Sequence, residues 1–558
     1  MHSGKASKKL TLVALFFICA YIAVIVRLFF IQCLRTSSIT QEYVRSKQTL
    51  PERGKIFDIN GQPFVINTTT YLLFAEPKNI KDYEVATSKL HTILSVEEAS
   101  ISARLRVKGD WIPVQRGVTE AQRSKIANLK LAGFGFEEER KRFYPESSLS
   151  AHVLGFVGKT EKGNNIGYFG IEGFYEKDLA GLSGITSSER DLNNSPILFG
   201  VQDSIQAENG RDLYLTIDKA VEKIAKRRLQ DAVERFQAKD GCVLIADPYT
   251  MEMKALVCLP DFDPDIYYKF SEDYYMNPSI SSLYEPGSTF KPLVVAAAIE
   301  EKAIKADDTY KETGPISIGE YTIRTWNNSY EGTISITRIL EKSSNVGMVH
   351  IGEKLGNKNL FTYIQRYGFG KKTNIDLQGE TGGSLKEEKD WYPIDYATAT
   401  FGQGIAVTPL QMIRAFSTVV NGGKLMVPHM VKYMASDTKR QEILPETETR
   451  VLSERTSEVL KKMLQSTVEN GEIKWAKPKG YSVGGKTGTA QIPVKGSYDP
   501  TKTIASFIGF APVEKPQFIM LVYLREPKAS QWGSETAAPV FFEITKDLIV
   551  YYNMHPDQ

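Results

Sequence analysis

Apolar positions change their rhythm along the chain. Residues 10–26 contain no charged side chain, and apolar character resumes through residue 34 after Arg27 and Gln32. The stretch to residue 26 would rise only about 25 Å as a helix, just short of a bilayer's hydrocarbon core, and continuing to residue 34 makes it long enough. No small-residue cleavage site follows, so the run is expected to remain as a signal anchor rather than be removed. Ile18 before Cys19 argues against a lipoprotein site. Basic residues flank both ends, Lys5, Lys8 and Lys9 before and Arg35, Arg45 and Lys47 after. A short N-terminal tail nonetheless favours residues 1–9 in the cytoplasm, with most of the chain on the other side.

Beyond a polar linker from residue 36 to about 52, residues 53–61 form a short strand ending in Asn60-Gly61, a hairpin signal. Strands and short helices then alternate to about residue 206 without any catalytic constellation. Near residue 210 the pattern changes again. Residues 213–217 read as a strand, and Asp218 caps a helix whose Val221, Ile224, Ala225, Leu229, Ala232, Val233 and Phe236 share one face. Residues 242–246 and 253–258 form a hairpin around Asp247-Pro248, residues 503–510 and 517–524 form another, and a terminal helix covers 537–551. Strands bracketed by helices predict an α/β (α+β) fold with one antiparallel sheet and helices on its faces. In the first hairpin Cys242 faces Cys258. A disulfide is conceivable there, and buried thiols are the expected state.

Composition changes the picture little. The 558 residues are 42% apolar, with 69 Lys+Arg against 66 Asp+Glu, a net charge of +3 that gives no footprint for nucleic acid. Six scattered histidines and four cysteines show no metal-ligand spacing, so neither a metal nor another cofactor is expected. His152 is expected to be structural.

Candidate chemistry lies in three short motifs: Ser288-Thr-Phe-Lys291, Ser343-Ser-Asn345 and Lys486-Thr487-Gly488-Thr489. Each alone is weak; their order and flanks give them weight. Glu285-Pro-Gly287 turns onto Ser288 at a helix start, and the i, i+3 spacing sets the Lys291 amine on the face of the Ser288 hydroxyl. A serine needs a base, so Lys291 has to be neutral, and burial near Lys486 would depress its pKa. Gly488 in an edge strand lets a substrate backbone approach closely.

These motifs resemble those of the class B penicillin-binding proteins, monofunctional peptidoglycan D,D-transpeptidases. The likeness extends through Gly402-Gln-Gly404, Thr408-Pro-Leu-Gln411 and Ala537-Ala-Pro539. In the N-terminal half it continues through Arg53-Gly54, Arg142-Phe-Tyr-Pro145 and Gly170-Ile-Glu172. Ile59 and Met251 depart from the family pattern, at positions where arginine and glycine are usual. The resemblance implies a penicillin-binding transpeptidase fold: a tail at 1–9, a membrane anchor at 10–34, an elongated pedestal of dimerisation type at 36–206 and a transpeptidase domain at 210–552.

It further implies that Ser288 is acylated by the D-Ala-D-Ala end of a stem peptide with Lys291 as base. Backbone N–H groups of Ser288 and Thr489 would form the oxyanion hole. Ser343 would relay a proton, Asn345 would orient the amine or the substrate amide, and Lys486, Thr487 and Thr489 would hold the terminal carboxylate. Implied partners are stem peptides, β-lactams that acylate Ser288, the membrane, and a SEDS-family glycosyltransferase with other wall-synthesis or divisome proteins. The implied location is the bacterial cytoplasmic membrane, with the catalytic domain extracytoplasmic. Competing readings are a D,D-carboxypeptidase or β-lactamase on the same core, and a membrane-anchored β-lactam sensor or wall-synthesis scaffold. The pedestal pattern leans toward the division type.

Overall fold

The computed structural model describes residues 3–34, 44–161, 163–189, 202–494 and 497–557. Part of the linker predicted from residue 36 lies outside them. The chain forms two compact units, residues 1–53 with 180–210, and residues 54–179 with 211–558.

In the first unit the apolar run is helical over Ser3–Phe29 and continues as a π-turn, Phe30–Leu34. Its Leu10–Gln32 portion is long and apolar enough to cross a membrane. The same unit holds a three-stranded antiparallel sheet of Val44–Thr49, Gly184–Glu189 and Gln202–Ile205.

Two sheets organise the second unit. One takes strands from both halves of the sequence, in the order Arg440–Glu442, Val431–Ala435, Asp212–Leu215, Ile56–Phe57, Pro63–Ala75 and Ile112–Val118. Phe134–Phe143 also pairs with Pro63–Ala75. The Asn60-Gly61 turn forms as predicted, with Asp58 Oδ1 accepting from Asn60 N (2.9 Å) and Gln62 N (2.7 Å). Ile56–Phe57 lies parallel to Asp212–Leu215, a pairing across more than 150 residues that no local pattern announces.

The other sheet is antiparallel throughout, in the order Met253–Leu259, Asp240–Ala246, Phe518–Arg525, Ser497–Ala511 and Gly484–Val494. Its pleat divides the core. Val243 and Ile245 face the helices Lys219–Phe236 and Ala537–Tyr551, whereas Cys242, Leu244 and Ala246 join the cluster around Lys291–Glu300 and Pro409–Val420. Helix ends are set by caps, at Asp218 as the sequence predicts. Asp218 Oδ1 accepts from Ala220 N (3.0 Å), and Thr408 with Gln411 closes a capping box ahead of Pro409–Val420. Met251 occupies its turn with φ +54° and a buried side chain, while Asp247 Oδ1 accepts from Tyr249 N (2.8 Å).

The expectation of free buried thiols is corrected. Cys242 and Cys258 are disulfide-bonded. The register sets them directly opposite with Cα atoms 4.1 Å apart, and both point to the same buried face.

Candidate active site

The turn that carries Ser288 is built by close backbone approaches. Gly287 has φ +55°, and its N–H donates to Gly402 O (3.0 Å). Residues Gly287–Phe290 form one 3₁₀ turn that leads into the helix Lys291–Glu300, with Pro292 in its first turn where no N–H is needed. This helix is buried almost all round, so Lys291 is fully enclosed at its base.

Ser343 sits in a left-handed turn, φ +57°, between the helices Ile336–Glu341 and Asn345–Leu355. Ser344 caps the second helix, its Oγ accepting from Gly347 N (3.0 Å) and donating to buried Glu312. The turn offers its polar groups to one amine. Lys291 Nζ lies 2.7 Å from Ser343 O, 3.1 Å from Ser343 Oγ and 2.8 Å from Asn345 Oδ1. Asn345 Nδ2 donates to Arg324 O (3.0 Å), which fixes the amide with its oxygen toward Lys291. A neutral amine has two N–H bonds to give to Ser343 O and Asn345 Oδ1, its nearest acceptors, and keeps one lone pair that can take a proton.

The third motif lies on the sheet's edge strand, Gly484–Val494, which among the described residues pairs only with Ser497–Ala511. Gly488 is demanded by packing: a Cβ there would fall 2.5 Å from Ser506 Oγ and 2.9 Å from Thr289 Cγ2. The strand thereby lies against the turn that carries Ser288. Lys486 is buried, with Nζ 3.2 Å from both Thr487 O and Thr487 Oγ1. Gly533 N donates to Thr489 Oγ1 (3.0 Å), tying the loop before the terminal helix to this strand.

Ser288, Ser343, Asn345, Thr487 and Thr489 line one cleft, with Lys291 and Lys486 buried behind its wall and Gly488 packed beneath it. Burial, with the Lys486 charge adding to it, holds the Lys291 amine well below the ordinary lysine range. Burial lowers Lys486 to about 8, and the Glu472 charge opposes that fall. The cleft's remaining lining is Gly287, Trp326, Phe401, Gln403, Glu472 and Trp532. Gln403 belongs to a segment already singled out in the sequence; Trp326, Phe401, Glu472 and Trp532 do not. The two tryptophan rings meet edge to face, centroids 5.3 Å apart, and Trp326 Nε1 donates to Lys342 O (3.3 Å). Glu285 accepts from Gly404 N and from the Tyr498 hydroxyl, both at 3.1 Å, holding the loop that carries Gln403. His152 lies elsewhere, buried, with Nε2 3.0 Å from Tyr274 O, and burial pushes its pKa down to about 4. Among the described residues no group of three or more His, Cys, Asp or Glu is arranged to hold a metal.

Residues 241–546 match the family model of the penicillin binding protein transpeptidase domain, and residues 48–215 that of the penicillin-binding protein dimerisation domain. Stage V sporulation protein D of Bacillus subtilis (strain 168) is 33% identical over 98% of this chain and 86% of its own. The peptidoglycan D,D-transpeptidase FtsI of Escherichia coli (strain K12) is 29% identical over 92% of this chain and 86% of its own. Among solved structures, a peptidoglycan synthetase from Bifidobacterium adolescentis superposes with a TM-score of 0.74 at 24% identity, covering 92% of this chain and 98% of that one.

Proposed function

This chain belongs to the class B penicillin-binding proteins, peptidoglycan D,D-transpeptidases, and from that premise we propose that it works through a serine acyl-enzyme at Ser288. The observation that carries this reading is the buried Lys291 amine, held by Ser343 and Asn345 beside the cleft that Ser288 lines. Neutral Lys291 takes the Ser288 proton as Oγ attacks the carbonyl of the terminal D-Ala-D-Ala bond. The backbone N–H groups of Ser288 and Thr489 receive the developing oxyanion. The proton returns through Ser343 to the leaving nitrogen, and D-alanine departs. Lys486, Thr487 and Thr489 hold the donor's terminal carboxylate, with Gly488 keeping their strand close, and Asn345 holds the amine or the substrate amide in place. A second strand's amine then attacks the ester and closes the cross-link. β-Lactams acylate the same serine.

In this reading residues 1–9 are cytoplasmic, 10–34 span the inner membrane, 36–206 form the pedestal and 210–552 the extracytoplasmic transpeptidase domain. The Cys242–Cys258 disulfide supports an oxidising, extracytoplasmic setting. Arg27 and Gln32 within the apolar run suit contact with a polytopic SEDS-family glycosyltransferase. The test is labelling by a fluorescent penicillin. The wild type is expected to label covalently, and Ser288→Ala to lose all labelling and cross-linking while keeping its thermal unfolding transition. Label retained on Ser288→Ala would sink the assignment.

A further inference from the structure

Among the described residues one carboxylate lines the cleft. Among the described lining residues only Glu472 is acidic, and its side chain is exposed to solvent. Its neighbours fix its place. The helix Glu454–Asn470 ends at Gly471, where a Cβ would fall 2.2 Å from Thr467 O and 3.1 Å from Glu341 O, two residues before Ser343. Ile473 on the other side is buried in the core. Glu472 is thus held between a position only glycine fits and an apolar anchor. Its charge reaches both Lys291 and Lys486, and no hydrogen bond or close ion pair ties it up among the described residues.

The two half-reactions ask opposite things of this cleft. The donor strand brings a terminal carboxylate, for which buried Lys486 is a match. The acceptor brings a primary amine that is cationic in water, and it approaches a wall backed by two lysines. Repulsion from Lys486 opposes its entry unless an anion faces it. We propose that Glu472 is a specificity-determining residue of the second half-reaction, drawing the cationic acceptor amine into the cleft and orienting it toward the Ser288 ester. This role rests on the acyl-enzyme reading above.

Protons balance along this route. The ammonium gives one proton to solvent as it becomes a nucleophile. Its nitrogen bonds the acyl carbon, the ester C–O bond breaks, and a second N–H proton passes through Lys291 to Ser288 Oγ. Water is uncharged and gains nothing from the carboxylate, so Glu472 favours cross-linking over hydrolysis of one shared intermediate.

The experiment uses the full chain, a D-alanyl thioester as donor, glycinamide as cationic acceptor and methanol as uncharged acceptor. Aminolysis and hydrolysis draw on the same acyl-enzyme, so their ratio is insensitive to how well a variant folds or acylates. Glu472→Gln is expected to lower the glycinamide-to-water product ratio about fivefold, the size of one partly screened charge pair. The methanol-to-water ratio is expected to hold, and Glu472→Asp to recover part of the loss. Added salt is expected to bring the wild-type ratio toward that of Glu472→Gln. An unchanged glycinamide ratio, or an equal fall with methanol, would overturn the role of Glu472 alone. Absence of any acyl-enzyme on the folded wild type would instead overturn the serine mechanism, and this role with it.

Discussion

A lysine that is to take a proton from a serine has to be uncharged near neutral pH, while a lysine that is to hold a carboxylate has to stay charged. In the proposed mechanism Lys291 and Lys486 divide these tasks by their surroundings. Both are buried, but the positive charge of Lys486 adds to burial at Lys291, which drives that amine further down. In the proposed mechanism acylation rises with pH as Lys291 loses its proton, and it falls again as pH passes the Lys486 value of about 8. The second-order rate constant for penicillin acylation is therefore expected to be bell-shaped, with its basic limb near pH 8. A rate still climbing from pH 8 to 10 would contradict the division of roles. The eight residues singled out in the sequence converge because each sits in a short motif whose spacing is itself chemical. Trp326, Phe401, Glu472 and Trp532 escaped that reading. They reach the cleft from separate loops and helix ends, and no local spacing relates them to Ser288.

Elements defined by their own periodicity are legible in the sequence. The terminal helix runs over Ala537–Tyr551, as its apolar pattern predicts, and the hairpin register sets Cys242 against Cys258. The state of that cysteine pair was not legible, because opposite register suits two packed thiols as well as a bond. Its consequence belongs to the hairpin. The bond closes a loop of sequence separation 16, and losing such a cross-link costs about 2–3 kcal/mol. Replacing both cysteines with alanine is expected to lower the thermal midpoint by several degrees, with penicillin labelling retained below it. An unchanged midpoint would mean that the strands Asp240–Ala246 and Met253–Leu259 hold each other without the bond. The strand Ile56–Phe57 was illegible as a sheet partner for the opposite reason. It is only two residues long, and its place depends on Asp212–Leu215 and on Lys55 N donating to Asp212 Oδ1 (2.6 Å), far along the chain.

At the scale of the whole molecule, residues 54–179 and 211–558 contribute to a common buried cluster, while Leu73, Leu90, Ile101, Val114 and Ile126 form a separate one within residues 54–179. Phe64, Val65, Leu154, Ile171 and Leu179 belong to the same buried cluster as Leu213, Leu215, Leu293 and Val431. Polar links between the two segments are buried as well. Ser150 Oγ donates to Glu222 (2.7 Å), whose other oxygen accepts from Leu256 N (2.8 Å), and burial pushes that carboxyl up to about 7. The Tyr175 hydroxyl donates to Asp376 (2.9 Å), which also accepts from Met430 N and Val431 N. Stripping away residues 54–179 would expose Leu213 and Leu215 and leave Glu222 and Asp376 short of partners. Each fully buried leucine contributes about 2 kcal/mol and each orphaned polar group costs a similar amount. Residues 211–558 alone are therefore expected to lose the cooperative thermal transition, or to melt about 10 °C or more below a chain that keeps residues 54–179. Calorimetry on the two chains decides it. Equal midpoints would show that the shared core adds nothing to the transpeptidase segment. A lower midpoint for residues 211–558 means that the N-terminal strands carry part of the stability on which the lysine–serine geometry depends.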